Sequence, residues 1–423
     1  MKLSICEYES IFRKTSEEIG SENYLEKDLF DNLENFILEN RYLNDDETAD
    51  ANPLELLSIG SKYGRKTITA KNFVGVIEFK DGSVLEILPK IASSHGMKSE
   101  KEIRDLLLEM LEVALEIKEK RSGSANLDTS RMNILEVFIS MFLEEVNRLV
   151  QNGLRCTYND HSGNENFIRG RINFSENIRH NLIHKERVFV EYQVYGPNRP
   201  ENRIIKSTLN LLMGLCRDMN NQRLNRMLLS YFEDIPISTD HISDFSYCES
   251  DRNMSDYNRV LPWCRLFLNQ EGLHVYSGTN VAYAFLFPME YVFESYVAHQ
   301  FRLSMPNSIS VSSQESIKRL FGRILKPDIV LRRGNKTLIL DTKWKLLSKS
   351  KGASVQDLYQ MYVYSKKYDS KNIILLYPAD PEYDGIRSYV DEEVHVFLEQ
   401  IDLFNFEESL EPLISMFDNL LLQ

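Results

Sequence analysis

The chain has 423 residues, 43% hydrophobic and 27% charged, the composition of a soluble globular protein too long for one ordinary core. No apolar run reaches the ~18 residues of a membrane span, and the opening MKLSICEYES lacks the apolar stretch of a signal peptide, so a cytoplasmic protein is expected. A net charge of −13 argues against holding nucleic acid mainly by an overall field, and five scattered cysteines without a CxxC argue against a disulfide scaffold or zinc ribbon.

Residues 1–51 carry 14 acidic and 5 basic side chains, and the period of YLEKDLFDNLENFILENRYL predicts an acidic, mostly helical segment over 1–50. Residues 51–98 read as a small β-rich domain. KTITAKNFVGVIEFKDGSVLEILPKI holds two β-rich runs joined by Lys80-Asp81-Gly82, and Asp-Gly between alternating apolar residues signals a hairpin.

From 99 to 283 helical periodicity dominates, in KEIRDLLLEMLEVALEIKEK, a Gly/Ser-containing break at 122–124, NILEVFISMFLEEVNRLVQNGL, IIKSTLNLLMGLCRDM and NQRLNRMLLSYFEDI. Strand-like insertions surround FIRGRINF and RVFVEYQVY, and GPNRPENR supplies a turn. His180 and His184 have i,i+4 spacing, but HNLIH lacks the glutamate of a metal-binding HExxH helix, so two surface histidines are expected.

Residues 284–423 read helix (FLFPMEYVFESYVAHQFRLS), strand (SISVS), strand (RILKPDIVLRR), strand (KTLILDTKWK), helix (SVQDLYQMYVYSKKY), strands NIILLYP and VHVFLEQIDL, and a terminal helix. That is a mixed α/β module. The expected fold is α+β and multidomain, with an N-terminal β-rich domain, a central helical region and a C-terminal mixed α/β domain.

The chemistry concentrates in the last module. Hydrolysing a phosphodiester requires an activated water and neutralisation of the charge that grows on the phosphate. A divalent cation on carboxylate oxygens supplies much of this. Asp328 lies in LKPDIVL, Asp341 ends TLILD, and a turn at Arg333-Gly334-Asn335 joins the two runs, so a hairpin brings both carboxylates to one sheet edge.

Lys343 follows Asp341 by two residues, which in an extended strand points both side chains to one face. Glu294 sits on an apolar helix, where a carboxylate is costly unless it meets a cation or hydrogen-bond donor. Gln360 and Tyr364 share one helix face at i,i+4. Residues 318–351 add 11 Lys and Arg against only Asp328 and Asp341, a local basic surface suited to phosphate, although a solvated basic hairpin would give the same count.

Glu294, Pro327-Asp328, Asp341-Thr342-Lys343 and Gln360-x-x-x-Tyr364, in this order, resemble the PD-(D/E)xK nuclease fold in its branch with a QxxxY helix. AKNFVGVIEFKDGSVLEILPKI, RGRINF, NRPENRIIKSTL, MEYVFESYV and DTKWK followed by YQMYVYSKKY narrow the resemblance to the McrC family, from about residue 60 onward. That resemblance implies the nuclease subunit of an McrBC-type modification-dependent restriction system. Asp328, Asp341 and Glu294 would then hold Mg2+ (or Mn2+), and Lys343, Gln360 and Tyr364 would complete the catalytic set. It further implies an AAA+ GTPase of the McrB type as partner, and modified double-stranded DNA as substrate. The N-terminal part would dock in the partner's ring and stimulate GTP hydrolysis. The chain itself has no GxxxxGK[ST] nucleotide loop.

Lys71, Asn72, Asn198, Arg199, Asn202 and Arg203 are candidates for contact with the GTPase, since an arginine can stabilise phosphoryl transfer in trans. NRPENR is at least as well suited to capping the following helix and anchoring the turn. Two other functions fit the residues: an autonomous RecB-like DNA-repair nuclease, and a non-catalytic adaptor that activates an AAA+ protein.

Overall fold

The computed structural model describes residues 2–14, 23–41, 57–91, 98–115, 133–183, 185–248, 254–268, 274–276, 281–316, 319–320, 323–345, 347, 352–380, 383–391 and 393–422. The chain folds as two compact units, residues 1–130 with 273–423, and residues 131–272.

The first unit opens with strands β1 (Lys2–Cys6), β2 (Ser10–Arg13) and β3 (Tyr24–Leu25) before helix α1 (Lys27–Arg41). This corrects the helical reading of the first fifty residues. The alternation in KLSIC buries Leu3 and Ile5 on one face, a period of two that the acidic helix downstream obscures. Strands β4 (Leu57–Lys62), β5 (Arg65–Ala70), β6 (Phe73–Phe79) and β7 (Val84–Leu88) follow. β6 and β7 form the expected antiparallel hairpin, with Gly82 at φ 81° in its turn. β1 runs parallel to β7, and β3-β2-β5-β4 make a separate four-stranded sheet. Helix α2 (Glu100–Ala114) starts at a capping box of Ser99 and Glu102 and sends Arg104 onto buried Glu86 of β7.

The second unit holds helix α3 (Ile134–Asn152), strands β8 (Thr157–Glu165) and β9 (Arg171–Ile172), helix α4 (Phe174–Asn181), strand β10 (Val188–Gly196), and helices α5 (Pro200–Leu215), α6 (Met219–Tyr231), α7 (His241–Ser246) and α8 (Tyr257–Leu268). Edge-on contacts of Phe138 with Trp263 and of Phe142 with Phe267 join α3 to α8, and β8-β10-β9 form a small sheet. FIRGRINF is strand only at β9. Its Asn173 caps α4 by accepting the Glu176 amide. His180 pairs with Glu176 on that helix. His184 and the break at 122–124 lie outside the described residues.

Strands β11 (His274–Tyr276) and β12 (Val281–Pro288) return the chain to the first unit. β12 pairs antiparallel with β6 and completes a five-stranded sheet of order β1-β7-β6-β12-β11. The expected boundary at 284 therefore falls inside a strand, and the helix read from FLFP begins only at Met289, as α9 (Met289–Ser304). A short continuous apolar run does not distinguish strand from helix, and Pro288 stands at the N-cap.

A six-stranded sheet of order β13-β16-β17-β18-β20-β19 follows, from β13 (Ser310–Ser313), β16 (Ile329–Arg333), β17 (Lys336–Thr342), β18 (Asn372–Pro378), β19 (Ser388–Asp391) and β20 (Val394–Ile401). β13, β16 and β17 are antiparallel neighbours, whereas β17, β18 and β20 run parallel. Helix α10 (Val355–Tyr368) connects β17 to β18 and packs Met361, Tyr364 and Tyr368 into a core with Ile339, Ile373 and Leu398. A two-residue ladder, β14 (Arg319–Leu320) with β15 (Arg323–Ile324), precedes β16, and α11 (Phe406–Leu422) ends the chain. RILKPDIVLRR is thus not one strand. Arg323–Ile324 pairs with β14, whereas β16 starts a different ladder at Ile329, past Pro327, which has no amide to donate. Among the described residues, no helix is long and apolar enough to cross a membrane. The five cysteines are free.

Candidate active site

The site is built on the β16–β17 hairpin. Arg333 pairs with Lys336 across Gly334-Asn335, and Gly334 takes a φ of 59°, the value that the first central position of a tight hairpin turn demands. Asp328 stands one residue before β16 rather than inside a strand. Its Oδ2 accepts the Thr342 amide and the Thr342 hydroxyl, each at 2.7 Å. Asp341 is the penultimate residue of β17 and is 1% exposed, in the strand that the rest of the sheet encloses.

Glu294 comes from the middle of α9. Gln314 ties it to the hairpin: its side-chain amide donates to Glu294 Oε1 at 3.0 Å, and its backbone amide donates to Asp328 O at 3.0 Å. Gln314 holds a φ of 50°, unusual for a residue other than glycine and of the kind that recurs at functional sites. No pattern in the sequence points to it.

Burial, followed by mutual repulsion, raises all three carboxyl groups. Asp328 is pushed up to about 6 by burial and by Glu294, and Asp341 to about 7 by burial and by Asp328. Glu294 is raised by burial and by Asp341. The cation among them is Lys343, whose ammonium stands 2.6 Å from Asp341 Oδ2. Burial pulls the Lys343 ammonium down, but Asp341, Asp328 and Asp357 outweigh it and hold the charged form.

A polar chain fixes that ammonium from the helix side. Lys343 Nζ donates to Gln360 Oε1 at 3.1 Å, Gln360 Nε2 donates to Tyr364 Oη at 3.0 Å, and Tyr364 Oη donates to Lys326 O at 3.0 Å. Gln360 and Tyr364 lie one turn apart on α10, so the i,i+4 spacing becomes a direct hydrogen bond. Asp357, in the first turn of the same helix, accepts from Lys345 and stands 3.9 Å from Lys343. Its signal in the sequence is the capping box with Ser354. All six residues singled out in the sequence therefore meet in one network.

The donor set suits a hard divalent cation: carboxylate oxygens on adjoining elements, with Asp341 Oδ2 buried against the Lys343 ammonium. A cation placed there would relieve the repulsion that raises Asp328 and Asp341. Among the described residues no three His, Cys, Asp or Glu side chains are placed together so that they could hold a metal ion, and what the site offers is the pair Asp328 and Asp341, with Glu294 near enough to raise Asp328.

The basic surround is weaker than its residue count. Glu315 takes Arg332 in a two-pronged pair, Asp418 takes Arg333, and Asp357 takes Lys345. Lys318, Lys349 and Lys351 lie outside the described residues.

The docking candidates are occupied within their own units. Asn72 donates to Glu290 at 3.1 Å and accepts from Tyr8. Asn202 is fully buried, donates to Arg155 O and Pro197 O, and accepts from Tyr257. Arg203 pairs with Asp244 and Asn198, and Arg199 with Glu201. NRPENR thus anchors the turn before α5 but does not cap the helix: Arg199 stands at the N-cap without a side-chain cap bond, and Pro200 opens the first turn.

Its matches to known proteins place the chain among restriction-system components. A family model, McrBC 5-methylcytosine restriction system component, matches residues 68–378. The chain is 26% identical over 272 residues to the type IV methyl-directed restriction enzyme EcoKMcrBC of Escherichia coli strain K12, over 58% of this chain and 77% of that protein. Its fold resembles a chain of the half-complex from a tetradecameric assembly of Thermococcus gammatolerans McrB AAA+ hexamers with bound McrC. The TM-score is 0.68 at 20% identity, over 98% of this chain and 100% of that one. A second structure, the Thermococcus gammatolerans McrBC complex, aligns with a TM-score of 0.52 at 20% identity, over 73% of this chain and 90% of its own. The chain belongs to the McrBC 5-methylcytosine restriction system component family, and its fold is that of an McrC-type subunit.

Proposed function

We propose that this chain is the Mg2+-dependent DNA endonuclease subunit of an McrBC-like restriction complex, acting in the cytoplasm. Residues 289–423 serve as a nuclease module of the PD-(D/E)xK type. An AAA+ GTPase of the McrB type recognises modified DNA and delivers it, and the N-terminal part of this chain docks in that ring and stimulates GTP hydrolysis. The observation that carries this reading is the Lys343 clamp, an ammonium held between a buried carboxylate and a helix-borne glutamine.

Asp328, Asp341 and Glu294 would hold Mg2+, with Mn2+ as a substitute. When bound, the ion neutralises charge on the phosphodiester and makes water more acidic. Lys343 stays cationic because three carboxylates surround it, and so offers a fixed positive charge to the phosphate as negative charge grows there. Gln360, itself bonded to Tyr364, aims Lys343 from the helix side opposite Asp341, and Asp328 is itself oriented by the Thr342 amide and hydroxyl.

The test assembles the complex with Asp328→Ala, Asp341→Ala or Lys343→Ala and follows modified-duplex cleavage beside GTP hydrolysis. Cleavage is expected to vanish while GTPase stimulation persists. Loss of stimulation in all three variants would return these residues to a folding role.

A further inference from the structure

Two contacts reach the cleavage centre from the N-terminal sheets of the same unit. Glu7, just after β1, is fully buried and accepts the Trp344 indole N–H on both oxygens, at 3.2 and 3.0 Å. Trp344 is the residue after Lys343. Its ring packs against Phe293 of α9, centroids 5.3 Å apart, beside Glu294. The indole therefore lies between the segment carrying Lys343 and the helix carrying Glu294.

The second contact runs through Asn72, ahead of β6. Its backbone carbonyl accepts the Met289 amide at 2.9 Å and its side-chain amide donates to the Glu290 carboxylate, so its side chain holds the first turn of α9, one turn before Glu294. Tyr8 joins the two contacts. It follows Glu7, donates its hydroxyl to Asn72, and holds a φ of 64°, a conformation that a bulky residue adopts only when its surroundings impose it.

Packing alone does not fix the indole. A cavity of about 160 Å³ lies beside it, lined by Glu7, Tyr8, Lys90, Lys345 and Pro378. The ring edge has room to move there once its hydrogen bonds are lost. Burial pushes the Glu7 carboxyl up to about 8, so a neutral acceptor at this position is compatible with its surroundings.

We propose that Glu7 and Asn72 are positioning residues for cleavage: Glu7 sets the segment of Lys343 by holding the Trp344 indole, and Asn72 sets Glu294 by holding Glu290 on the first turn of α9. The proposal rests on the nuclease reading above. Outer partners that orient a ligand or a catalytic group commonly matter to metal affinity and rate as much as the group itself.

The test uses the full chain in complex with its AAA+ partner, single-turnover cleavage of modified duplex, GTP hydrolysis and Mg2+ titration. Glu7→Ala is expected to slow cleavage by about ten- to a hundredfold while GTPase stimulation and the KM for DNA hold. Glu7→Gln, which keeps an acceptor, retains most of the rate. Trp344→Phe reproduces the Glu7→Ala loss, and the double variant falls no further, because both act through one hydrogen bond. Asn72→Ala raises the Mg2+ concentration required by about tenfold or more.

A readout independent of activity is the emission of Trp344 in a Trp263→Phe chain, where it is the only tryptophan. The emission moves to longer wavelength with Glu7→Ala and stays in place with Glu7→Gln. Unchanged cleavage in Glu7→Ala, losses that multiply in the double variant, or unshifted emission overturns the proposal and leaves the nuclease reading standing. A wild-type complex that does not cut modified DNA sinks the nuclease reading and this proposal with it.

Discussion

Lys343 and Asp341 form an ion pair of 2.6 Å in which the carboxylate is buried, 1% exposed, and the ammonium keeps 21% of its side-chain surface. Burial weighs on both groups, but the ammonium keeps part of its surface open to solvent. Lys343→Met removes the charge but most of the bulk remains. Its expected effect is a fall in cleavage of about 10²–10³-fold, the scale of losing one preorganised electrostatic contact. Gln360→Ala leaves the charge and removes only its aim, so it is expected to cost less. Single-turnover rates rank the two, and an equal or reversed ranking contradicts the assigned roles.

The part of the site that is legible in the sequence is the part set by short-range geometry. Asp341 and Lys343 lie two apart on an extended chain, Gln360 and Tyr364 four apart on a helix, and Gly334-Asn335 closes the hairpin between the carboxylates. Periods of two and 3.6 are carried in the order of residues. Glu7 and Trp344 are 337 positions apart, and nothing local marks a glutamate that will be buried against an indole. Gln314 is a loop residue whose backbone conformation is imposed by its neighbours. The end of β12 reads as helix in the sequence because FLF is apolar on both faces, as a strand enclosed in a sheet must be, and periodicity is silent there.

The raised carboxyl groups fix the sign of a pH dependence. In the folded state Asp328 titrates near 6 and Asp341 near 7, against roughly 4 in an unfolded chain. Between about pH 4 and pH 7 the folded state therefore binds more protons, so stability falls as pH rises through that window. Below it the two groups cost nothing, and above it their cost is complete. In EDTA, the Tm of Asp341→Asn minus that of wild type is expected to grow from pH 5 to pH 8. Adding Mg2+ at pH 8 raises wild type more than the variant. A Tm difference that ignores pH and Mg2+ would remove the electrostatic strain from the site.

Away from the centre, Arg104 and Glu86 form the buried pair that fastens α2 to β7. The guanidinium meets the carboxylate at 3.1 and 2.5 Å, the two residues are 5% and 0% exposed, and Lys2 adds a second cation 3.1 Å from Glu86. Arg104→Ala leaves a buried carboxylate short of its main partner, at an expected cost of about 3–5 kcal/mol. Replacing both residues by leucine is expected to cost much less, because no charge is then stranded. Calorimetry on the three chains measures this, and equal losses in the single and double variants would mean that packing, rather than charge, makes the join.

Asn202 separates anchoring from docking in the second unit. Its amide donates to Pro197 O at 2.7 Å and Arg155 O at 3.1 Å, and its carbonyl accepts Tyr257 Oη at 2.7 Å, all in a fully buried position. Asn202→Ala removes all three bonds; Pro197 O keeps the Arg199 amide and Tyr257 Oη keeps the Arg155 amide, so the loss falls on Arg155 O and the Tyr257 O–H donor, each costing about 1–3 kcal/mol if left unpaired. A lower Tm is expected, with GTPase stimulation unchanged per folded molecule at a temperature where the variant stays folded. Burial pushes the Asp244 carboxyl up, but the Arg203 guanidinium beside it outweighs burial and holds it below the usual carboxylate range. Arg203→Ala strands that carboxylate, so its stability loss is expected to shrink as pH falls and Asp244 takes up a proton. If either variant instead keeps the wild-type Tm and loses GTPase stimulation, the NRPENR segment faces the partner and its contacts within the unit are secondary.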